Sequence, residues 1–213
     1  MFDTIKTKAK DKMKGNMLEF WGIMLVIGLI STVLSELPRF FGVKLTETRV
    51  LLGIEYEVST PAGSTWTAIV ALFMTIFSVA LVYWVLSILK EKKVDIKEAI
   101  KFAFKHILTI LVVSFLVGLA ISLGLLLLIV PGIIISLGLS MVYPIICDNP
   151  DIGIMDAISK SWELMKGHKW EYFTFLFTFI GWILLCILII PVFYVIPYIT
   201  FAELGYYLKL TEK

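Results

Sequence analysis

The stretch DNPDIGIMDAISKSWELMKGHKWEYFTFLFTFIGW, residues 148–182, sets the plan of the chain. It opens with a polar turn, Asp148 to Asp151, and continues as a helix with one apolar face. Gly167 is placed to end that helix, because glycine readily adopts the left-handed conformation found at helix ends. An apolar, aromatic-rich run follows from Trp170. Weaker copies of this order occur twice earlier in the chain.

The composition indicates a membrane protein. Hydrophobic residues make up 59% of the chain and charged residues 17%, with a mean hydropathy of +0.94. Soluble domains contain roughly 45–50% apolar residues, so a water-soluble fold of this size could not bury the excess. The net charge of +2 gives no reason to expect a nucleic acid partner. The lysines stand in blocks beside the apolar runs, where the lipid bilayer and its anionic headgroups are the expected partners.

Six apolar segments are each suited to cross a bilayer, since about 20 helical residues span about 30 Å of hydrocarbon. The predicted spans are Met17–Leu37, Thr65–Leu89, two within Ile107–Cys147 separated by a turn at Pro131–Gly132, Trp170–Ile190 and Val192–Leu208. Pro38 is placed to close the first span, and Pro197 predicts a kink in the sixth. The predicted fold is all-α and polytopic.

An amphipathic helix precedes each pair of spans. The first covers residues 1–16 and is expected to end at Gly15. The second covers Asp95 to His106 and begins with a capping signature, Asp95 followed three residues later by Glu98. The third lies within the stretch quoted above. Apolar residues at helical spacing opposite lysines predict that these helices lie in the membrane interface.

Repeated sequence motifs divide the chain into three units. Met-Lys-Gly occurs at residues 13–15 and 165–167, and an acidic-Ala-Ile motif occurs at residues 98–100 and 156–158. We expect one membrane domain, residues 1–213, of three units at about 1–89, 90–147 and 148–213. Each unit would be an interfacial helix followed by a transmembrane hairpin, as in other repeat-built membrane proteins.

The distribution of basic residues predicts the orientation. All but three of the 19 lysines and arginines lie in the segments that six spans place on one side; the exceptions are Arg39, Lys44 and Arg49. The positive-inside rule therefore predicts that both termini are cytoplasmic and that the loop 38–64 is external. Within this loop, Val50 to Val58 is β-branched and partly alternating around Gly53, which predicts a short hairpin.

Several residues resemble a known family signature. They are Ala157, Ser161, Met165-Lys166-Gly167, Lys169-Trp170, Phe173 and Phe179-Ile180-Gly181-Trp182, with Pro197-Tyr198, Glu203, Tyr206 and Tyr207 near the end. This pattern resembles a bacterial integral membrane family catalogued as domain of unknown function 975, most specifically over residues 90–208. The resemblance implies a multi-pass protein of a bacterial cell (plasma) membrane and supplies no established activity.

Catalytic motifs are missing from the sequence. It contains no His-Glu-x-x-His, no Gly-x-Ser-x-Gly and no phosphate-binding glycine loop, and Cys147 and Cys186 lack metal or redox spacing. We therefore expect no enzyme activity, no catalytic or metal site and no cofactor.

Six residues are candidates for function. Glu203 is a carboxylate among Phe201, Ala202 and Leu204, so it must face the bundle interior, a partner or water to avoid lipid. Alternatively, Glu203 reaches headgroup water or pairs with Lys209. The other candidates are Pro197 and Tyr198 in the same span, and Lys166, Gly167 and Trp170 at the end of the third amphipathic helix.

Two functions of different class fit these features. The first is a non-enzymatic binding, accessory or scaffold role with a membrane-protein or peptide partner, because the chain has amphipathic helices and an external loop but no catalytic set. The second is a small transporter or permeation pathway, with a cavity near Pro197 and Glu203.

Overall fold

The computed structural model describes residues 2–51, 54–92, 94–186 and 191–211. The elements in these residues are α1 (Phe2–Phe40), β1 (Thr46–Leu51), β2 (Ile54–Ser59), α2 (Pro61–Leu89), α3 (Ile96–Lys105), α4 (Ile107–Leu127), α5 (Ile129–Leu139), α6 (Val142–Asp148), α7 (Ile154–Leu164), α8 (Lys169–Phe177), α9 (Ile180–Leu185) and α10 (Val192–Thr211). Among the described residues, four segments are long and apolar enough to cross a membrane: α1, α2, α4 and Ile129–Asp148. The protein is therefore an all-α membrane protein.

Helix α1 runs through Gly15, where the sequence predicted a helix end. The buried face of α1 explains the difference, because Ile5, Ala9, Met13 and Phe20 continue it on both sides of the glycine. A glycine inside a helix costs about 0.5–1 kcal/mol. Burying one large side chain such as Phe20 stabilises by about 1.5–3 kcal/mol, which is the larger effect.

Three other boundaries differ from the predictions by a few residues. Helix α1 continues to Phe40 with Pro38 inside it. Helix α2 begins at Pro61 rather than Thr65, because the Thr60 side chain caps it. The turn between α4 and α5 lies at Leu128 rather than at Pro131–Gly132. Pro131 instead falls in the first turn of α5, where a helix does not use its backbone N–H groups.

Helix α2 is the centre of the bundle and contacts α1, α3, α4, α6 and α10. Its second half is enclosed, with Trp84, Val85, Leu86 and Leu89 all buried. Helix α10 packs along α1. The first and last helices of the chain therefore close the bundle around α2.

Two of the predicted amphipathic helices pack against the bundle itself. Helix α3 lies beside α2, where the rings of Phe102 and Tyr83 stack with centroids 4.1 Å apart. Helix α3 begins after Asp95 as predicted, although the Asp95 side chain makes no capping hydrogen bond. Helix α7 contacts α4, α5 and α6, and it buries Ala157 and Ser161. The bundle therefore covers part of the apolar face of each helix, while Phe104 of α3 and Trp162 of α7 remain exposed.

The predicted fifth span, Trp170–Ile190, contains the helices α8 and α9, and its residues 187–190 lie outside the described residues. The predicted sixth span corresponds to α10, which contains Pro197.

The predicted hairpin is confirmed. Strands β1 and β2 are antiparallel, in a register that runs from Thr46 opposite Ser59 to Leu51 opposite Ile54. Gly53 lies outside the described residues. We call the hairpin, the end of α1 and the start of α2 the hairpin end. We call the start of α1, the end of α2, the end of α6 and the end of α10 the lysine end.

Candidate binding sites at the two ends of the bundle

A polar clasp joins three helices at the lysine end. Asp148, at the end of α6, forms an ion pair with Lys90, which follows α2. The other carboxylate oxygen accepts a hydrogen bond from the Tyr207 hydroxyl of α10, at 3.1 Å. The carboxylate thus ties α2, α6 and α10 together. Beside the clasp, Lys12 of α1 binds Glu91 with 2.9 Å between Nζ and Oε1, and this hydrogen bond lowers the pKa of Glu91.

A third ion pair holds the end of α10 to the start of α8. Lys209 Nζ lies 3.1 Å from Glu171 Oε1, and His168 Nδ1 lies 3.0 Å from Glu171 Oε2. The alternative in which Lys209 pairs with Glu203 is therefore wrong.

Glu203 lies at the margin of the core. Its neighbours Phe201, Ala202 and Leu204 are buried, whereas Glu203 itself is half-buried. Within the described residues, its carboxylate forms no ion pair and no hydrogen bond. The hydroxyl of Tyr206, three residues further along α10, is buried and has no hydrogen-bond partner within the described residues. Glu203 and Tyr206 therefore place two polar groups in α10 that have no protein partner within the described residues.

Pro197 and Tyr198 are buried in a group of aromatic side chains. The Tyr198 ring lies 5.4 Å from the Phe179 ring, 5.8 Å from the Tyr194 ring and 6.1 Å from the Trp182 ring, measured between centroids. These rings pack around Tyr198, the neighbour of Pro197 in α10.

Lys166 and Gly167 lie in the turn between α7 and α8, and Trp170 follows in the first turn of α8. Gly167 has a φ of +81°, which confirms its predicted role as the helix stop. Lys166 is exposed, and the exposed Trp170 ring stacks on Phe173 with centroids 5.3 Å apart. The six predicted candidates therefore fall into two groups, one at this turn and one in α10.

Sequence reasoning missed the contact that fixes α7. The Ser161 hydroxyl donates a buried hydrogen bond of 2.9 Å to the carbonyl oxygen of Gly138 in α5. The Trp162 ring covers Gly138, and Lys169 Nζ lies 3.2 Å from the centroid of that ring. Ser161 and Gly138 are far apart in sequence. The only signal in the sequence was that both are small residues in helices, which allows two helices to pack closely.

An apolar pocket of about 650 Å³ lies at the hairpin end. Its lining comes from the end of α1, the base of the hairpin and the start of α2: Leu37, Pro38, Phe41, Val43, Leu45, Pro61, Ala62, Thr65, Trp66 and Ile69. The Trp66 indole donates a 2.9 Å hydrogen bond to the carbonyl oxygen of Leu34, which fixes its ring in the pocket wall. Gly63 allows the hairpin to approach, because a Cβ there would lie 2.0 Å from the Leu45 carbonyl oxygen.

The hairpin has one largely apolar exposed face. Side chains alternate along each strand, so Leu51 and Ile54 share this face with Tyr56 and Val58, and also with the ion pair of Glu47 and Arg49. Leu51 is 62% exposed and Ile54 is 69% exposed. The opposite face carries mostly threonine and glutamate side chains. The hairpin end thus combines an apolar pocket with an exposed apolar strand face.

The chain matches the model of one known protein family. The model of the family described as "Protein of unknown function (DUF975)" matches residues 2–134 and 123–213, which together cover nearly the whole chain. The chain belongs to the DUF975 family. Neither the comparison with curated proteins nor the comparison with solved structures gives a match. Membership of DUF975 confirms the resemblance drawn from the sequence and brings no activity with it.

Proposed function

We propose that this DUF975 protein is a multi-pass protein of a bacterial cell membrane with both termini cytoplasmic. The basic residues support this orientation, because most of them lie in segments at the lysine end. The two ends of the chain also meet there, since α1 and α10 approach each other at Ile5 and Gly205. Chain ends on the same side require an even number of crossings, which agrees with six spans.

The proposed architecture is three repeated units of an interfacial helix and a transmembrane hairpin. Buried small residues four positions apart support this proposal: Ala99 and Ala103 in α3 match Ala157 and Ser161 in α7. In α1, Ala9 and Met13 are buried at the same spacing.

The proposed role is non-enzymatic: the protein acts as an accessory or scaffold protein that binds a protein or peptide at the hairpin end. The observation that carries this proposal is the exposed face of the hairpin, which has two strands in the described residues and presents Leu51, Ile54 and Tyr56 beside an ion pair of Glu47 and Arg49. A two-stranded hairpin is marginally stable in water by itself, and its outer strand edges can pair with another chain. Exposed aliphatic and aromatic side chains at such a place mark an interaction surface.

The base of the hairpin supports the same role. Thr60 Oγ1 donates a 2.8 Å hydrogen bond to the Lys44 carbonyl oxygen and accepts one of 3.0 Å from the Gly63 N–H. This side chain joins both ends of the hairpin to the first turn of α2. A partner would therefore meet a strand face that is held by the bundle, which lowers the entropy cost of binding.

A transporter is the second candidate. The break between α5 and α6 at Ser140–Met141 favours it, as does the half-buried carboxylate of Glu203, which has no ion pair within the described residues. Broken helices and membrane-embedded carboxylates line transport sites. Three aromatic rings pack around Tyr198, the residue after Pro197, and this apolar packing does not favour a water-filled path at Tyr198. The transporter therefore ranks behind the binding role.

Site-specific crosslinking tests the binding role. A photocrosslinking amino acid replaces Tyr56 on the apolar face or, as the matched control, Thr48 on the polar face of the same hairpin. We expect a crosslinked product of defined mass in native membranes from position 56 and little or none from position 48. Equal products from both positions, or none from position 56, would contradict the proposal.

Two substitutions test the transporter in the same cells. If deletion of the gene gives a growth defect, the binding role predicts that Glu203→Gln and Pro197→Ala restore growth, whereas a chain lacking residues 43–60 does not. The opposite pattern would favour transport.

A further inference from the structure

A second cavity, of about 360 Å³, lies at the lysine end between the start of α1, the end of α2 and the end of α10. Its volume is within the roughly 300–1,000 Å³ of ligand pockets. The residues that line it are Thr4, Ile5, Lys8, Ala9, Leu89, Gly205, Leu208 and Lys209. They form two chemically different parts, an apolar floor and a cationic rim.

The floor belongs to the hydrophobic core. Ile5, Ala9, Leu89 and Leu208 are all buried. Gly205 keeps the cavity above them open because it has no side chain. Even a Cβ at this position would lie 3.2 Å from Ile5 Cγ2, so a larger side chain would occupy the cavity. This floor suits a hydrocarbon chain, since it offers apolar contact and no hydrogen-bonding side chain.

The rim carries two lysines from different helices. Lys209 of α10 is held in place by Glu171, 3.1 Å away, which is also bound by His168. Glu171 offsets part of the Lys209 charge but does not line the cavity. Lys8 of α1 is exposed and forms no ion pair within the described residues. Together with the Thr4 hydroxyl, the two ammonium groups offer donors to an anion.

We propose that this cavity binds an anionic phospholipid, with its phosphate between Lys8 and Lys209 and part of an acyl chain on the floor. The charge and the apolar surface are both needed to explain the occupant. A neutral lipid would bring no counter-charge to Lys8, which forms no ion pair within the described residues, and a phosphate ion would leave the floor uncovered. The proposal requires the membrane location of the chain but not the binding role of the hairpin.

Native mass spectrometry of the full-length protein in detergent tests this site. Phosphatidylglycerol, phosphatidylcholine with the same acyl chains, and inorganic phosphate are titrated separately. We expect one phosphatidylglycerol to bind at least about fivefold more tightly than phosphatidylcholine, and inorganic phosphate not to bind. Lys8→Gln should weaken phosphatidylglycerol binding about fivefold, the effect of one lysine near an anionic headgroup.

The matched control is Lys10→Gln, which makes the same charge change on α1 at a residue that does not line the cavity. We expect this variant to bind like the wild type. If both variants lost phosphatidylglycerol affinity equally, the lysines would act only by general charge attraction, and the proposed site would be wrong. Equal binding of the two lipids, no lipid binding, or tight binding of phosphate alone would also overturn it.

A second pair of variants tests the floor. Gly205→Leu fills the cavity, whereas Gly205→Ala adds only one methyl group, whose carbon would lie 3.2 Å from Ile5 Cγ2 and needs a shift of a few tenths of an ångström. We expect phosphatidylglycerol binding to be lost in the first and kept in the second, with size-exclusion chromatography confirming that each is folded. A folded Gly205→Leu protein that binds the lipid normally would refute the proposal. If Gly205→Leu does not fold, the difference in phosphatidylglycerol binding between Lys8→Gln and Lys10→Gln still tests the proposal.

Discussion

The two ends of the bundle use apolar residues in opposite ways. At the lysine end, apolar side chains such as Met13, Trp84 and Ile145 are buried between helices. Towards the hairpin end, the second half of α1 leaves Leu25 and Leu29 exposed along its length. The lysine end therefore has an internal core of its own, and the remaining half of α1 offers its apolar surface to the membrane.

Because of this difference, substitutions at the two ends should affect the stability of the bundle differently. Polar groups at the lysine end join helices that are distant in sequence, as Asp148 joins Lys90 and Tyr207. At the hairpin end, charged groups pair with near neighbours on the same element, as Arg39 does with Glu36. Damage at the lysine end should therefore destabilise the whole bundle, whereas damage at the hairpin end should remain local.

The largest effect is expected from Gly138→Val. A Cβ at Gly138 would lie 2.4 Å from the Trp162 ring, so the side chain would push α7 away and break the buried hydrogen bond from Ser161. Overpacking of this kind typically costs about 1–3 kcal/mol. Thermal unfolding of the purified protein in detergent measures the loss.

Gly118→Ala is the control for that experiment. Gly118 is also a helical glycine of an apolar helix, but a Cβ there would have no atom within 4 Å. The unfolding temperature of this variant should equal or slightly exceed that of the wild type, because alanine favours the helix. Similar losses from both substitutions would remove the packing explanation.

A smaller effect is expected from Asp148→Asn. The substitution leaves the half-buried Lys90 without its counter-charge, while the Tyr207 hydroxyl can still donate to the new amide oxygen. Leaving a partly buried charge unpaired costs on the order of 1–2 kcal/mol. The matched change at the other end is Glu36→Gln, where the pair with Arg39 is exposed and is worth about 0–1 kcal/mol.

Urea unfolding of both variants separates the two ends. We expect Asp148→Asn to lower the midpoint clearly and Glu36→Gln to leave it nearly unchanged. A larger loss from Glu36→Gln would contradict the idea that the lysine end holds the bundle together.

Much of the fold could be predicted from the sequence because it depends on local patterns. Apolar length predicted α2 and α4, alternation around residues 50–58 predicted the hairpin, and Gly167 predicted the end of the third amphipathic helix. Gly15 misled the prediction because it has the same Met-Lys neighbours as Gly167. Whether glycine ends a helix depends on packing beyond it, and in α1 the buried face continues to Phe20.

The candidate sites were much less predictable. The lysine-end cavity joins Lys8 to Lys209, and the hairpin-end pocket joins Leu37 to Ile69 across the loop. No local pattern reports such contacts, since they arise only when distant helices pack. Residue type alone singled out Pro197, and it did not predict the aromatic rings that pack around the next residue, Tyr198.

The smallest global effect is expected from Gly63→Ala, although its local clash is more severe than that at Gly138. A Cβ at Gly63 would lie 2.0 Å from the Leu45 carbonyl oxygen, so the base of the hairpin must move away from α2. Few buried residues lie there, because Gly63 and Val70 are the buried positions in the first half of α2. We therefore expect faster amide exchange in residues 43–60 and an unfolding temperature within about 2 °C of the wild type. Faster exchange that also reached α6 and α10 would show that the two ends are coupled, and the contrast between a bundle-wide core and a locally held hairpin would then be wrong.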